Sequence, residues 1–362
     1  MPINATIQKV LIAPLDWGLG HATRCIPIIE ALLIQELTVI IAAEGSVAAL
    51  LREAFPSLKI IPLKGYRVQY ASKSYTLLFK LLAQLPKIYS TIQYENEWIK
   101  KIVRTEKIDL IIADNRFGCY HSTVPSVFIT HQLTIKTPLL WVEKLLQKLN
   151  YRYINRFSAC WIPDMAAFPG LAAKLSHPTH MPSIPVHYIN LLSRFVPQPI
   201  QSIFAFGIIL SGPEPQRSIL ENKLVLDLQK IKEPVFLVRG KPASKEIIHL
   251  PSSVTVFNHL DTIELQALIA KTDYIICRGG YTSLMELFSL RKKLIIVPTP
   301  AQTEQEYLSQ QLLMQCRALA ITQYEFDTEK AMELAASFPY QFVDAPLFSK
   351  KDIIPLLQSL IP

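Results

Sequence analysis

Apolar and polar positions in the first half of the chain repeat a simple pattern, a short continuous apolar run followed by a longer stretch with helical periodicity. "KVLIAPL" (9–15) precedes Cys25–Glu36, "LTVIIAAEG" (37–45) precedes Ser46–Phe55, and "KIIPLKG" (59–65) precedes Tyr75–Thr105. "IDLIIADN" and "SVFITHQL" come before Leu139–Phe157, and "ACWIPD" closes the series. Runs that are apolar throughout, instead of alternating, suit strands buried on both faces. The pattern therefore predicts a parallel sheet with helices on both sides.

Between Ser176 and Ser202 five prolines (Pro178, Pro182, Pro185, Pro197 and Pro199) interrupt this rhythm, which marks a linker region. The alternation then restarts with "FAFGIILSG", "PVFLVRG", "VTVFNHL", "DYIICRGG", "KLIIVP" and "ALAIT". Helix-compatible segments separate these runs at Ile219–Lys232, Ile263–Lys271, Ser283–Leu290 and Glu304–Cys316. At 362 residues the chain exceeds the roughly 250–300 that one core serves. The expected fold class is α/β, with two doubly wound Rossmann-like domains facing a cleft at the carboxyl ends of their sheets. The expected boundaries are an N-terminal domain over 1–190, a linker over 191–202, a second domain over 203–345, and a C-terminal helix within 346–362, placed to pack back on the first domain.

Composition narrows the classes of function. Half of the residues are apolar, yet no stretch reaches the ~18–20 apolar residues of a spanning helix. The N-terminus lacks the basic, apolar and small-residue regions of a secretory signal. The five cysteines (Cys25, Cys119, Cys160, Cys277 and Cys316) form no CxxC, which reads as a reducing cytoplasm and no structural metal. A formal charge of +8 leaves an anionic substrate or an anionic membrane surface open. Without a dense Lys/Arg block with interleaved aromatics, nucleic acid is not expected as a partner.

Glycine is scarce, 11 of 362 residues, and several sit between a strand and a helix. Gly18 and Gly20 lie in "DWGLGHATR", Gly212 in "LSGPEPQR", and Gly279 and Gly280 in "CRGGYTSLMEL". A helix start offers backbone N–H groups and a favourable dipole to an anion, and two such turns in one domain suit a diphosphate. Plain turn geometry is the alternative for each. Pro213 or Pro215 could take the first helical position beside Ser211 and Gly212, with Arg217 adding charge. Thr282, Ser283 and Glu286 follow Gly280; an acid at Glu286 could bind ribose hydroxyls, or be a solvated helix residue or a partner of Arg291. Gln302, Glu304, Gln305 and Glu306 could bind a sugar or simply polarise a helix start. In the first domain Asp114, Arg116 and His131 end strands, where they could face an acceptor, cap helices or pair with one another.

These motifs, in this order, resemble the glycosyltransferases of the B fold, and within them the family that includes the lipid-linked peptidoglycan-precursor N-acetylglucosaminyltransferase (family 28-like). The features carrying the resemblance are "GLGH", "LSGPE", "GYTSLME", "VPTPAQTEQE" and "FNHLD", which together span nearly the whole chain. The resemblance implies that Glu286 binds the donor ribose, that Ser211 and Gly212 approach its diphosphate, and that Leu260 lies beside uracil. It further implies contacts from Tyr281, Thr282 and Ser283, sugar recognition by Gln305, and a catalytic or acceptor-side place for His21. Inverting transfer without a bound metal or other cofactor is implied as well, the UDP-sugar being a co-substrate. Independently, no Asp-x-Asp occurs to hold a divalent ion on a diphosphate, so Arg217, Arg278 and helix starts would offset the leaving-group charge. Two departures stand out: "DWGLGH" replaces a fuller glycine run, and "SGPEPQR" carries two prolines.

The expected activity is thus transfer of a hexose, N-acetylglucosamine among them, from a uridine-diphosphate donor to a saccharide or lipid-linked acceptor hydroxyl, with His21 as general base. Two other classes fit the architecture, a non-hydrolysing nucleotide-sugar epimerase and a non-catalytic nucleotide-sugar or dinucleotide-binding protein with Glu44 on a ribose. Against the dinucleotide reading, Thr23 stands where a third fingerprint glycine or alanine belongs. The segment "IKTPLLWVEKLLQKLNYRYINRF" mixes leucines and Trp141 with Lys144, Lys148, Arg152 and Arg156. It is either a helix with its leucines in the core or one lying on an anionic membrane. A cytoplasmic protein, peripheral on the inner face of the membrane, is the corresponding expectation.

Overall fold

The computed structural model describes residues 7–66, 77–137, 139–199, 202–212, 214–242 and 244–360, with the side chains of 77–85 outside that description. The chain divides into two compact units, the second being Phe195–Ala345 and the first comprising the described residues before it together with the C-terminal segment from Pro346.

In the first unit the strands are β1 (Lys9–Pro14), β2 (Thr38–Ala42), β3 (Lys59–Ile61), β4 (Leu110–Asp114), β5 (Ser126–Ile129), β6 (Ala159–Ile162) and β7 (Val186–Tyr188). They form one sheet in the order β3-β2-β1-β4-β5-β6-β7, with every pairing parallel. Helices α1 (Leu19–Ile34), α2 (Gly45–Ala54), α3 (Leu77–Glu106) and α4 (Leu140–Ile154) provide the crossovers. Leu11, Ala13, Ile40, Ile111, Phe128 and Cys160 point to one face and pack with Ile99, Ile102 and Val103 of α3 and Ile154 of α4. The apolar runs of the sequence are these doubly covered strands.

Helix α1 begins at Leu19, six residues before the start expected from periodicity. Gly18 precedes it with φ of 140°, a conformation reserved for glycine, and turns the chain directly out of the strand-end loop. The first turn, "LGHATR", carries polar residues and so lacks the apolar spacing that marks a helix. Strand β7 was also hidden, because it is three residues long and sits among the prolines that suggested a linker; a parallel bridge from Leu191 to Leu347 follows it. Helix α10 (Ile353–Gln358) buries Ile353 and Leu357, packs on α1, and is flanked by a Lys350–Glu30 ion pair at 3.0 Å.

The second unit holds β8 (Phe206–Ile209), β9 (Val235–Val238), β10 (Val254–Phe257), β11 (Tyr274–Cys277), β12 (Lys293–Ile296) and β13 (Leu319–Ala320) in the order β10-β9-β8-β11-β12-β13, again all parallel. Helices α5 (Gln216–Leu228), α6 (Thr262–Ile269), α7 (Tyr281–Ser289), α8 (Thr303–Met314) and α9 (Thr328–Ser337) connect and flank them. Ile208, Leu220, Leu224, Leu237, Ile276, Ile295 and Ala331 belong to its core.

The leucines of α4 do not fill the core, which corrects the first of the two readings of that segment. Leu140 is 75% and Trp141 66% exposed, and Leu139, Leu145 and Leu149 are exposed too, with Lys144, Lys148 and Arg152 among them. The helix reaches the sheet mainly through Ile154 and Asn150, its two buried residues. Its one acid, Glu143, is engaged by Lys136 at 2.7 Å. Among the described residues no helix is long and apolar enough to cross a membrane.

Candidate active site

Both sheets reverse strand order once, between β1 and β4 in the first unit and between β8 and β11 in the second. Ligands of open α/β sheets gather at the carboxyl ends beside such a reversal, and the chemistry-bearing residues of each unit are found there.

In the first unit, Pro14 of β1 pairs in register with Asp114 of β4. The chain leaves β1 through Asp16 and Gly18 and enters α1, placing His21 in its first turn. His21 Nδ1 lies 2.9 Å from Asp114 Oδ2, while its side chain keeps 17% exposure and Asp114 is fully buried. Its Nε2 makes no hydrogen bond among the described residues. Burial, then the Arg24 cation, hold the imidazole below its ordinary 6.5 despite the pull of Asp114, so the ring is neutral at neutral pH. Burial alone would raise the Asp114 carboxyl, but Arg24, His21 and their hydrogen bonds outweigh it and bring it down to about 2. The result is a neutral imidazole held by an ionised carboxylate.

Arg24, on which the sequence reading placed no role, completes this cluster. Its Nε donates to Asp114 Oδ2 at 2.9 Å, its Nη2 donates to Oδ1, and its Nη1 lies 3.4 Å from His131 Nδ1. A usable sign was present in the sequence: Arg24 is the sole charge in the apolar run Ala22–Ile29, and a cation in a buried run must be paired. The structure thus brings His21, Asp114 and His131 together around Arg24.

It does not bring Arg116 there. Although Arg116 follows the same strand, its guanidinium is buried and bonded to Glu95 at 2.8 Å, to the Pro14 carbonyl at 2.8 Å and to the Lys64 carbonyl at 3.2 Å. Those partners satisfy the charge and bind Arg116 into the interior. Gly20 lies inside α1, and the exposed Gly18 has open space around its α-carbon. Glu44, the acid of the dinucleotide reading, accepts the Gly65 N–H at 2.8 Å from its place before α2.

In the second unit, Arg278, Gly279 and Gly280 leave the end of β11 and Gly280 caps α7. Arg278 is buried and donates to three carbonyls, those of Val297, Pro298 and Gln216. No carboxylate of the described residues neutralises it, and burial brings its guanidinium down to about 10, still a cation at neutral pH. Gly279 is closely enclosed: a Cβ there would lie 2.9 Å from Ser309 Oγ and 3.2 Å from Ile296 Cγ2. At Gly280 it would meet nothing within 4 Å. The open side of the turn is therefore Gly280, with the half-buried Thr282 and Ser283 following.

Glu286 lies one turn further along α7 and is buried, not solvated; Arg291 pairs with Asp344 instead. Tyr281 is buried beneath the same turn. After β12, Gln305 Oε1 accepts the Thr299 N–H at 2.9 Å, which leaves its amide group to another partner. Gln302 caps α8 and Glu304 is in its first turn. Leu260 is half-buried immediately before α6, whose Asp261–Glu264 capping box fixes that loop.

Across the sheet reversal, the half-buried Ser211 and the exposed Gly212 follow β8. Pro215 is the cap of α5, not its first residue, and Pro213 lies outside the described residues. Arg217 departs from expectation. Its guanidinium is buried and spent on Glu214, on Glu221 at 3.2 Å and on the Arg239 carbonyl at 3.1 Å. Arg239 and Lys241 also pair with Glu221, and Arg239 with Glu246. The closely spaced carboxylates of the helix start satisfy Arg217 internally, leaving Arg278 as the less compensated cation of the pair.

Residues 216–335 match the glycosyltransferase family 28 C-terminal domain. No curated protein matches the chain. Among solved structures, MurG of Acinetobacter baumannii is similar over 97% of this chain and 99% of its own, at 14% identity and a TM-score of 0.54. The glycosyltransferase SnogD from Streptomyces nogalater is similar over 98% and 100%, at 16% and 0.60. UGT2 of Phytolacca americana, solved with UDP-2-fluoro-glucose and pterostilbene, is similar over 98% and 94%, at 12% and 0.62. At such identities the likeness establishes the fold, and the domain match adds the class of chemistry. With a match to the family 28 C-terminal domain over residues 216–335 of its second unit and the B fold over its length, the protein is a nucleotide-sugar-dependent glycosyltransferase.

Proposed function

We propose that the protein transfers a hexose, N-acetylglucosamine being the first candidate, from a uridine-diphosphate donor to the hydroxyl of a saccharide or lipid-linked acceptor, with inversion. The observation that carries this reading is the 2.9 Å contact of His21 Nδ1 with the buried Asp114 carboxylate at the strand-order reversal of the first unit. Nε2 of His21 takes the acceptor's hydroxyl proton as the oxygen attacks the anomeric carbon from the face opposite the diphosphate. The bond from that carbon to the diphosphate oxygen breaks, and its electron pair leaves with the UDP.

In the second unit Glu286 binds the ribose hydroxyls, Leu260 borders the uracil, and the α7 start with Gly280, Thr282 and Ser283 receives the diphosphate. Arg278, lacking a carboxylate partner among the described residues, supplies the positive charge, without a metal ion. Gln305 and the polar α8 start recognise the sugar. The exposed face of α4, apolar and basic together, rests on an anionic membrane surface and brings a lipid-linked acceptor within reach.

Incubation of the protein with a UDP-hexose and a lipid-linked saccharide tests the reading. UDP release that requires the acceptor, survives EDTA and falls at least 100-fold in His21→Ala is the expected result. Interconversion of the donor with no acceptor present would favour the epimerase instead.

A further inference from the structure

Arg24 has no part in the transfer chemistry described above, yet it is the most heavily engaged group around His21. It is 2% exposed and lies three residues after His21, on the same face of α1. It grips Asp114 bidentately, Nε on Oδ2 and Nη2 on Oδ1, while Nη1 reaches His131 Nδ1.

The geometry poses a conflict at one atom. His21 Nδ1 is 2.9 Å from Asp114 Oδ2 and also 2.9 Å from Arg24 Nη2. It cannot donate to the first and accept from the second. Asp114 is an anion, so the charge-assisted bond is Nδ1–H to Oδ2, and Arg24 Nη2 keeps its own charge-assisted bond to Oδ1. This tautomer leaves the lone pair on Nε2.

A carboxylate acting alone on an imidazole would also stabilise imidazolium, trapping a proton on the base. Here the carboxylate arrives already paired. We infer that Arg24 is a positioning residue: it clamps Asp114 so that the carboxylate fixes the His21 tautomer, while its own charge cancels the one that would hold His21 protonated. The inference rests on His21 being the base.

The groups that face His21 are Arg24 on α1, Asp114 at the end of β4, and His131 beyond β5. After burial, Arg24 is the strongest influence on the ring; it and His131 oppose protonation and Asp114 favours it. Removing the guanidinium therefore leaves a carboxylate unopposed.

The test is a pH profile of kcat/KM beside an NMR titration of His21 in the wild type, Arg24→Met and Arg24→Lys. Arg24→Met is expected to raise the His21 titration midpoint by about one unit or more and to move the acidic limb of activity by the same amount. Arg24→Lys retains the charge but not the fork; its limb stays in place while kcat falls several-fold. Should Arg24→Met not fold, the double variant Arg24→Met with Asp114→Asn, which buries no charge, replaces it. There the midpoint is expected to stay near that of the wild type while kcat falls about 100-fold or more. An unmoved His21 midpoint in Arg24→Met, or an undiminished kcat in the double variant, would overturn the inference. A midpoint that moves while the activity limb stays would uphold the clamp and remove His21 as the base.

Discussion

Proton transfer from the acceptor requires a neutral His21 when the acceptor arrives. Burial and then Arg24 lower its proton affinity from the ordinary 6.5, so the acidic limb of kcat/KM is expected below pH 6.5, with activity level from there through neutrality. A limb at or above 6.5 would contradict it. The same shift has a stability sign. Because the folded value lies below the unfolded one, the unfolded chain takes up the proton first, and the first unit loses stability as pH falls through 6.5 toward the folded value. Asp114 adds a second loss between its ordinary 3.8 and about 2, worth roughly 2 kcal/mol at 1.36 kcal/mol per unit. Acid denaturation of wild type against His21→Ala reads the first step: the variant is expected to lose less stability between pH 7 and 5. The His21–Asp114–Arg24 contact itself could not be read from spacing, since its two parts are 90 residues apart in the chain.

At the scale of elements, the strand-to-helix turns show how far the sequence speaks. Scarce glycines marked the α1, α5 and α7 starts correctly, and continuous apolar runs marked the strands. What they could not convey was which side of each turn is open. Gly279 faces Ser309 and Ile296, whereas Gly280 faces empty space. Gly279→Ala is expected to overpack and cost about 1–3 kcal/mol in urea unfolding. Gly280→Ala is expected to leave that transition within ~0.5 kcal/mol and to weaken UDP binding, because its methyl group enters the donor's space. Equal destabilisation by both would show that the turn is enclosed on both sides. Arg217 and Arg278 illustrate the same limit. Both are arginines beside a glycine turn in sequence, but the carboxylates that silence Arg217 come from its own helix start and from α5, while Arg278 meets only carbonyls. Helix α4 is the third case. Its leucines and lysines permitted two placements, and only the packing of its neighbours decides between them. Replacing Leu145 and Leu149 with Glu is expected to abolish flotation with phosphatidylglycerol vesicles while leaving the melting temperature unchanged. Flotation equal to the wild type would exclude this face.

At the scale of the molecule, the two parallel sheets were legible because doubly covered strands must be apolar throughout, and the restart of the pattern after the prolines announced a second unit. The short strand β7 and the bridge of Leu191 to Leu347 depend on tertiary pairing, which no local pattern encodes. The central claim concerns the second unit, where a family 28 domain presents Arg278, Gly280 and Glu286 around one strand-order reversal. A thermal-shift series with uridine and thymidine nucleotide-sugars tests it most directly. A donor at 100 times its dissociation constant stabilises the native state by about 2.7 kcal/mol. A UDP-hexose is expected to raise the melting temperature, an effect lost in Glu286→Ala; no shift of the wild type by any uridine or thymidine nucleotide would show that the second unit holds no such donor.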